Sequence, residues 1–272
     1  MIDLHSHTTA SDGELAPEAL IQLAARSGVT TLAVTDHDTV GSIPACTAAA
    51  AAFGLRVVPG IEVSAFLNGR EVHVLGHFVD LASAELNAFS ERLKIERRTR
   101  MEQMVEKLKA LGFPVTMDQV LAIAGDGAHL ARPHLARVLV ELNYCTSTQE
   151  AFSRFLGDGR PAAVGRFELP ASEAIAFIKR SGGAATIAHP GVSRVQRHEV
   201  EELAKAGLVG IEAEHSDHPP SAREKMRGWA QELGLVCTAG SDFHGPNVAP
   251  GRHLGTASMD PAAFAQLEAR RG

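Results

Sequence analysis

Residues 1–38, MIDLHSHTTASDGELAPEALIQLAARSGVTTLAVTDHD, decide the fold. Ile2-Asp3-Leu4 reads as a short strand that ends on His5-Ser6-His7. Pro17 then stands where a first-turn proline suits a helix, and Ala19, Leu20, Leu23 and Ala24 recur at helical spacing. With Gly28 as the stop, a helix over 17–27 is predicted. Thr31-Leu32-Ala33-Val34 makes a second strand, again followed by polar residues, Asp36-His37-Asp38. Strand, helix, strand is the rhythm of βα units and a parallel sheet.

The rhythm extends outward from that stretch. An alanine-rich helix is predicted from Ile43 to Phe53, a strand region from Leu55 to Val58 with Ile61, and a fourth strand from Glu71 to Val79. Then the character changes. A long charged amphipathic helix, Glu85 to Leu111, is followed by helical patterns near 118–124, 132–143 and 147–156. The βα alternation resumes with helix 171–181, strand 184–188, helix 198–206, strand 208–214, helix 220–233, strand 235–239 and a final helix from Pro261. The expectation is an α/β barrel formed by 1–80 and 160–272, interrupted by a helical insertion subdomain over 81–159. The basic run Arg92, Lys94, Arg97, Arg98 and Arg100 is interleaved with glutamates and reads as a solvated helix face rather than an RNA-binding stripe.

Composition narrows the function. The chain of 272 residues is long enough for a substantial core, and 45% hydrophobic with 21% charged residues is the balance of a globular protein. No apolar run approaches the roughly 20 residues of a spanning helix, and Met1 opens without a signal-peptide pattern, so no membrane contact and a cytoplasmic location are expected. Cys46, Cys145 and Cys237 are scattered, which argues against a disulfide framework and a thiolate zinc site. A net charge of −6 and 5% aromatic residues argue against a long nucleic-acid track. Any metal would be held by nitrogen and oxygen.

Polar clusters recur where strands end: Asp3 to His7, Asp36 to Asp38, Pro59-Gly60-Ile61-Glu62, Ala188-His189-Pro190, and Ser241-Asp242-Phe243-His244-Gly245. A closed parallel barrel gathers such ends at one face. His5 and His7 are two apart on extended chain, so both imidazoles share a side and can reach one metal, and Asp242 with His244 repeats the spacing. His37 lies between two carboxylates that could orient its ring, although either could instead cap a helix. Glu62 ends an apolar strand, where an unpaired carboxylate is costly unless it meets a cation, and a bridging role suits it. His73 sits inside a strand, as a ligand or a satisfied core group, with the ligand reading preferred. For Asp12, before Gly13, turn aspartate and ligand are level.

Taken in order, DLHSHT, SDG, TDHD, PGIE, EVHVLGHFVD, RPHLARVLV, AHPG and SDFHG resemble the PHP (polymerase and histidinol phosphatase) family, in its TrpH-like phosphoesterase branch. The resemblance spans nearly the whole chain. It implies a distorted (βα)7 barrel with up to three divalent ions per chain, often manganese. By motif, one ion would use His5, His7, Glu62 and Asp242, and Glu62 would bridge to a second held by His73 and His189. A third would use Asp12, His37 and His244. Arg132 and His134 of the RPH segment would contact a phosphate, with metal ligation as the alternative for His134. Either His189 or His134 would protonate the leaving group. His77, His129, His198, His215, His218 and His253 are left as structural or exposed.

Several divalent ions held by imidazoles and carboxylates favour hard oxygen substrates, so phosphate-ester hydrolysis is the expected reaction. The branch implies removal of the 3′-phosphate from nucleoside 3′,5′-bisphosphates, which is the first choice. The alternatives are 5′-to-3′ trimming of short RNA oligonucleotides, or another small phosphatase reaction such as that on histidinol phosphate. An amidohydrolase-like enzyme and a non-catalytic metal-binding module rank below these. The expected partner is a small phosphorylated nucleotide or short oligonucleotide, and the insertion is expected to cover the barrel mouth and select it.

Overall fold

The computed structural model describes residues 1–124, 130–165 and 167–272. Strand β1 (Ile2–Asp3) is followed by helix α1 (Pro17–Arg26). Pro17 occupies the first turn of α1, Glu18 and Arg26 complement its dipole, and Leu20, Ile21 and Ala24 bury one face. Strand β2 (Thr31–Val34) pairs in parallel with β1, and all of its residues are buried, as expected of a strand covered on both sides. Helix α2 (Ile43–Ala50) tightens into a 3₁₀ turn at Ala51–Phe53 and stops at Gly54, which has φ 61°.

The next pair departs from the expected parallel order. Strand β3 (Arg56–Leu67) runs parallel to β2 but is longer than predicted, and it turns at once into β4 (Arg70–His77), which is antiparallel to it. The link is Asn68-Gly69, with φ 52° and 73°. Asn-Gly tolerates positive φ at both central positions of a tight hairpin, and two residues are far too few for the crossover that a parallel return requires. The barrel is therefore distorted by one reversed strand.

Helix α3 (Ala84–Ala110) leads into α4 (Met117–Ala124), α5 (Arg132–Glu141) and α6 (Thr148–Ala151), the last continued by a π turn at Phe152–Leu156. Helix α7 (Ala171–Arg180), β5 (Ala184–Ile187), α8 (Arg197–Lys205), β6 (Gly210–His215), α9 (Pro220–Leu233), β7 (Val236–Gly240) and α10 (Pro261–Glu268) complete the chain. The seven strands form one sheet in chain order. β5 is antiparallel to β4, and β5, β6 and β7 are mutually parallel. Leu4 N donates to Ala239 O at 3.0 Å and Asp242 N to His5 O at 3.0 Å, which brings β7 back beside β1 and nearly closes the barrel.

The chain divides into two compact units, Met1–Ser90 with Glu168–Gly272, and Glu91–Phe167. In the first, Ile61, Val74, Ile178, Ile187 and Ile211 pack between strands and helices, while Leu20, Leu32, Val34 and Ile43 seat α1 and α2. The second has its own core of Met104, Leu108, Val120, Leu135, Leu139 and Leu156. Each such fully buried aliphatic side chain contributes roughly 1.5–3 kcal/mol relative to exposure. No described helix is long and apolar enough to cross a membrane.

Candidate metal centre

The polar clusters leave their strands where the barrel closes. After β1, the Ser6 hydroxyl donates to Ala33 O at 2.7 Å, while His5 and His7 turn to the other side, as the period of extended chain requires. His189 follows β5, His37 follows β2, and Asp242 and His244 follow β7. Glu62 stands inside β3. Because Glu62 pairs with Leu75 and Ser64 with His73, His73 lies diagonally across the hairpin from Glu62. The reversal of β4 thus brings a residue near its own beginning to the ends of other strands. Two of these residues hold strained backbone, with φ 26° at His189 and 52° at Asp242. Asp12 arrives by a turn whose next residue must be glycine, since a Cβ on Gly13 would stand 2.6 Å from the His7 carbonyl carbon.

Four donors converge most tightly. His5 Nε2 is 3.3 Å from Glu62 Oε2 and 3.3 Å from Asp242 Oδ1, and His7 Nε2 is 3.2 Å from each of the same oxygens. A tetrahedral cation with bonds of about 2.0–2.1 Å has donor edges of about 3.3 Å, so this is the spacing of a ligand set. None of these four buried atoms makes a hydrogen bond. The other Glu62 oxygen, Oε1, is 2.8 Å from His73 Nδ1 and 3.1 Å from His189 Nε2. His37 lies between groups, with Nδ1 3.2 Å from Glu62 Oε2 and Nε2 3.8 Å from Asp12 Oδ2. Asp12 Oδ1 is 3.2 Å from His244 Nε2 and 3.6 Å from His7 Nδ1. Imidazoles and carboxylates without a thiolate, with buried donor atoms left unpaired, fit divalent cations.

The electrostatics carry the same message. Burial disfavours charge on every member, yet Glu62 is held well below the usual carboxylate range by His37, His5 and His73, and Asp242 by His5, His215 and His7. Burial likewise opposes charge on His7, but the Asp242 and Glu62 carboxylates hold it up at about 10. At His37 burial wins, and the ring is pushed down to about 4.

Other sequence expectations resolve differently. Asp36 does not orient the His37 ring. Its carboxylate accepts from Thr8 N at 2.7 Å, from the Thr8 hydroxyl at 2.8 Å, from Ser11 Oγ at 2.6 Å and from Ser42 Oγ, bracing the loop after β1. Asp38 accepts from Ser64 N at 2.8 Å. Arg132 and His134 belong to the helical unit Glu91–Phe167. Arg132 donates to Asp158 Oδ1 at 2.7 Å, and His134 Nδ1 accepts from Ala131 N at 3.2 Å as part of the α5 cap. His77 is buried, with Nε2 2.9 Å from Leu4 O, and burial pushes it down to about 4, so it is a neutral structural group. His198 and His253 are exposed, and His129 lies outside the described residues.

Sequence reasoning missed the groups behind the cluster. Glu212 Oε1 is 3.0 Å from His5 Nδ1, and His215 Nε2 is 3.3 Å from Asp242 Oδ2. Arg252 pairs with the same Asp242 oxygen and with Asp217. Glu212 carried a signal, a carboxylate between the apolar Ile211 and Ala213 of a strand, much as Glu62 lies between Ile61 and Val63. Arg252, in an irregular segment, carried none.

The PHP domain family profile matches residues 3–93. The chain is similar to a 5′-3′ exoribonuclease of Haemophilus influenzae, 34% identical over 248 residues that cover 90% of each chain. It is also similar to the 3′,5′-nucleoside bisphosphate phosphatase of Chromobacterium violaceum, 34% identical over 277 residues, covering 99% of this chain and 97% of the relative. Among solved structures, one from Bifidobacterium adolescentis, assigned as a metal-dependent phosphoesterase, matches with a TM-score of 0.86 at 29% identity, over 99% of this chain and 96% of that one. With relatives of this kind aligned along almost its whole length, the chain belongs to the PHP domain family and is a metal-dependent phosphoesterase.

Proposed function

We propose that this phosphoesterase removes the 3′-phosphate from nucleoside 3′,5′-bisphosphates, leaving nucleoside 5′-monophosphates. The observation that carries the substrate is the alignment with the Chromobacterium violaceum phosphatase over 99% of the chain. The acidic net charge of −6 and the scarcity of aromatic rings support a small ligand over a polymer. A 5′-to-3′ exoribonuclease acting on short RNA is the second reading, favoured by the Haemophilus influenzae relative. Amidohydrolase-like chemistry is not favoured.

In this reading His5, His7, Glu62 and Asp242 hold one divalent cation, Glu62, His73 and His189 a second, and Asp12, His37 and His244 a third, with manganese the first candidate. Bound there, the cations would acidify water and neutralise phosphoryl oxygens. Glu62 divides its two oxygens between the first two groups, which fixes their separation. Its low pKa, held by His37, His5 and His73 against the effect of burial, keeps it a charged acceptor. Arg132 exchanges Asp158 for the substrate's second phosphate, a contact suited to its planar fork. His134 accepts Ala131 N–H on Nδ1, so the neutral ring carries its proton on Nε2, from which it can donate a hydrogen bond to a phosphate oxygen. His189, facing Glu62 through Nε2, serves as a ligand rather than as the acid.

A substrate panel with manganese tests the assignment: a nucleoside 3′,5′-bisphosphate, mononucleotides, histidinol phosphate and a 5′-phosphorylated RNA tetramer. The expected result is the highest kcat/KM on the bisphosphate with release of inorganic phosphate. Faster release of mononucleotides from the 5′ end of the tetramer would replace this reading with the second.

A further inference from the structure

Strand β6 carries a bulge between Glu212 and Glu214, where Glu212 pairs with Thr238 and Glu214 with the adjacent Ala239. On a regular strand Glu212 and Glu214 would face one side and His215 the other. The extra residue changes the phase. Glu214 pairs with Arg223 and Arg227 of α9, while Glu212 and His215 are both buried, at 1% and 0% exposure, against the metal cluster. Gly240, opposite His215 on β7, makes the space, since a Cβ there would lie 2.2 Å from His5 Cβ and 2.6 Å from Glu212 Oε1.

Both Glu212 oxygens are committed. Oε1 faces His5 Nδ1 at 3.0 Å, and Oε2 accepts from the His189 backbone N–H at 2.7 Å. With its Nδ1 proton held by Glu212, a neutral His5 must present the Nε2 lone pair to the donor cluster. The second contact grips the peptide of His189, a residue in strained backbone with φ 26°. We propose that Glu212 is a positioning residue for the metal centre, a single carboxylate that fixes the His5 ring and the His189 backbone so that both imidazoles meet Glu62. The inference rests on the ligand assignment made above. Glu212 acts through these two residues.

The test is manganese binding to the metal-stripped full chain, followed by calorimetric titration for the wild type, His5→Ala, Glu212→Gln, Glu212→Asp and a control, Glu199→Gln. Gln keeps the size of Glu212, but its one amide oxygen can serve only one of the two N–H groups. Asp keeps both oxygens and withdraws them by one methylene. Loss of such a partner typically costs 10–100-fold in metal affinity, so the tightest manganese site is expected to weaken by about that factor in whichever Glu212 variant folds. Saturating manganese restores turnover to within a few-fold, with substrate KM unchanged. Glu199 is buried and bonded to Arg70 and Asn68, so its variant lowers thermal stability and leaves manganese affinity alone. Wild-type manganese affinity in the Glu212 variants, or the same affinity loss in Glu199→Gln at matched stability, overturns the proposal while the ligand assignment stands. Unchanged stoichiometry and affinity in His5→Ala would instead remove the ligand assignment, and this inference with it.

Discussion

The barrel end and helix α3 use charged residues in opposite ways. Along α3, Arg98 pairs with Glu102 and Lys109 with Glu106, both at helical spacing and well exposed. These charges are satisfied locally, and each pair contributes only a few tenths of a kcal/mol. At the barrel end, His5 and His7 are buried with each Nε2 3.2–3.3 Å from Glu62 Oε2 and Asp242 Oδ1, and these four atoms make no hydrogen bonds. No stability argument explains four such atoms, because a buried, unpaired polar group costs about 1–3 kcal/mol and more when charged. A charge dense in sequence marks a solvated face, whereas charges scattered in sequence and gathered by the fold mark the chemistry.

The contrast breaks most sharply at Glu62. Glu62→Gln keeps the side-chain volume and removes the charge shared between two donor groups, so kcat/KM and bound manganese should both fall, turnover by more than about 100-fold. Retained metal and turnover would make Glu62 an ordinary buried acid. Next in size is Arg132→Ala. A single charge-assisted contact is worth roughly 1.5–3 kcal/mol, so nucleoside 3′,5′-bisphosphate turnover should lose about ten- to a hundred-fold in kcat/KM. Hydrolysis of an aryl phosphate, which has no second phosphate, should be spared. Equal losses on both substrates would place Arg132 at the reacting phosphoryl group.

A third prediction concerns protons. Without metal, His7 titrates at about 10, because Asp242 and Glu62 outweigh its burial. The ring is therefore charged at neutral pH and must lose its proton to bind a cation, so manganese affinity should rise with pH up to about 10. Calorimetry in buffers of different ionisation enthalpy should detect the released protons, and heats independent of buffer would contradict this. The linkage to stability has the matching sign. A value raised above the ordinary 6.5 stabilises the metal-free fold fully below that pH and is lost as pH rises through about 10. The smallest effect belongs to α3, where Arg98→Ala should change stability by less than about 0.5 kcal/mol and leave turnover intact. A marked loss of activity there would end the contrast between the regions.

What was legible in the sequence followed local periodicity. The His5/His7 and Asp242/His244 pairs could be read because extended chain repeats every two residues, and α1 because its proline, apolar spacing and glycine stop agree. The hairpin at Asn68-Gly69 is legible in its turn dipeptide, but hydrophobic patterning ends the preceding strand near Ile61, well short of that turn. That shortfall conceals how His73 reaches Glu62. Glu212 was marked by its carboxylate, but its place at the cluster, and that of His215, was out of reach for another reason. They meet the cluster through a bulge in β6, and a one-residue change of phase leaves no mark in hydrophobic patterning. Arg252 meets Asp242 from ten residues downstream in irregular chain, where periodicity says nothing.

The central claim is that the unpaired barrel-end donors exist to hold catalytic cations. Its most direct test is to strip the purified full chain with chelator, measure metal by elemental analysis, and assay nucleoside 3′,5′-bisphosphate hydrolysis before and after adding manganese. The account predicts that activity disappears with the metal and returns in proportion to the manganese rebound. Full activity in demonstrably metal-free protein would contradict it.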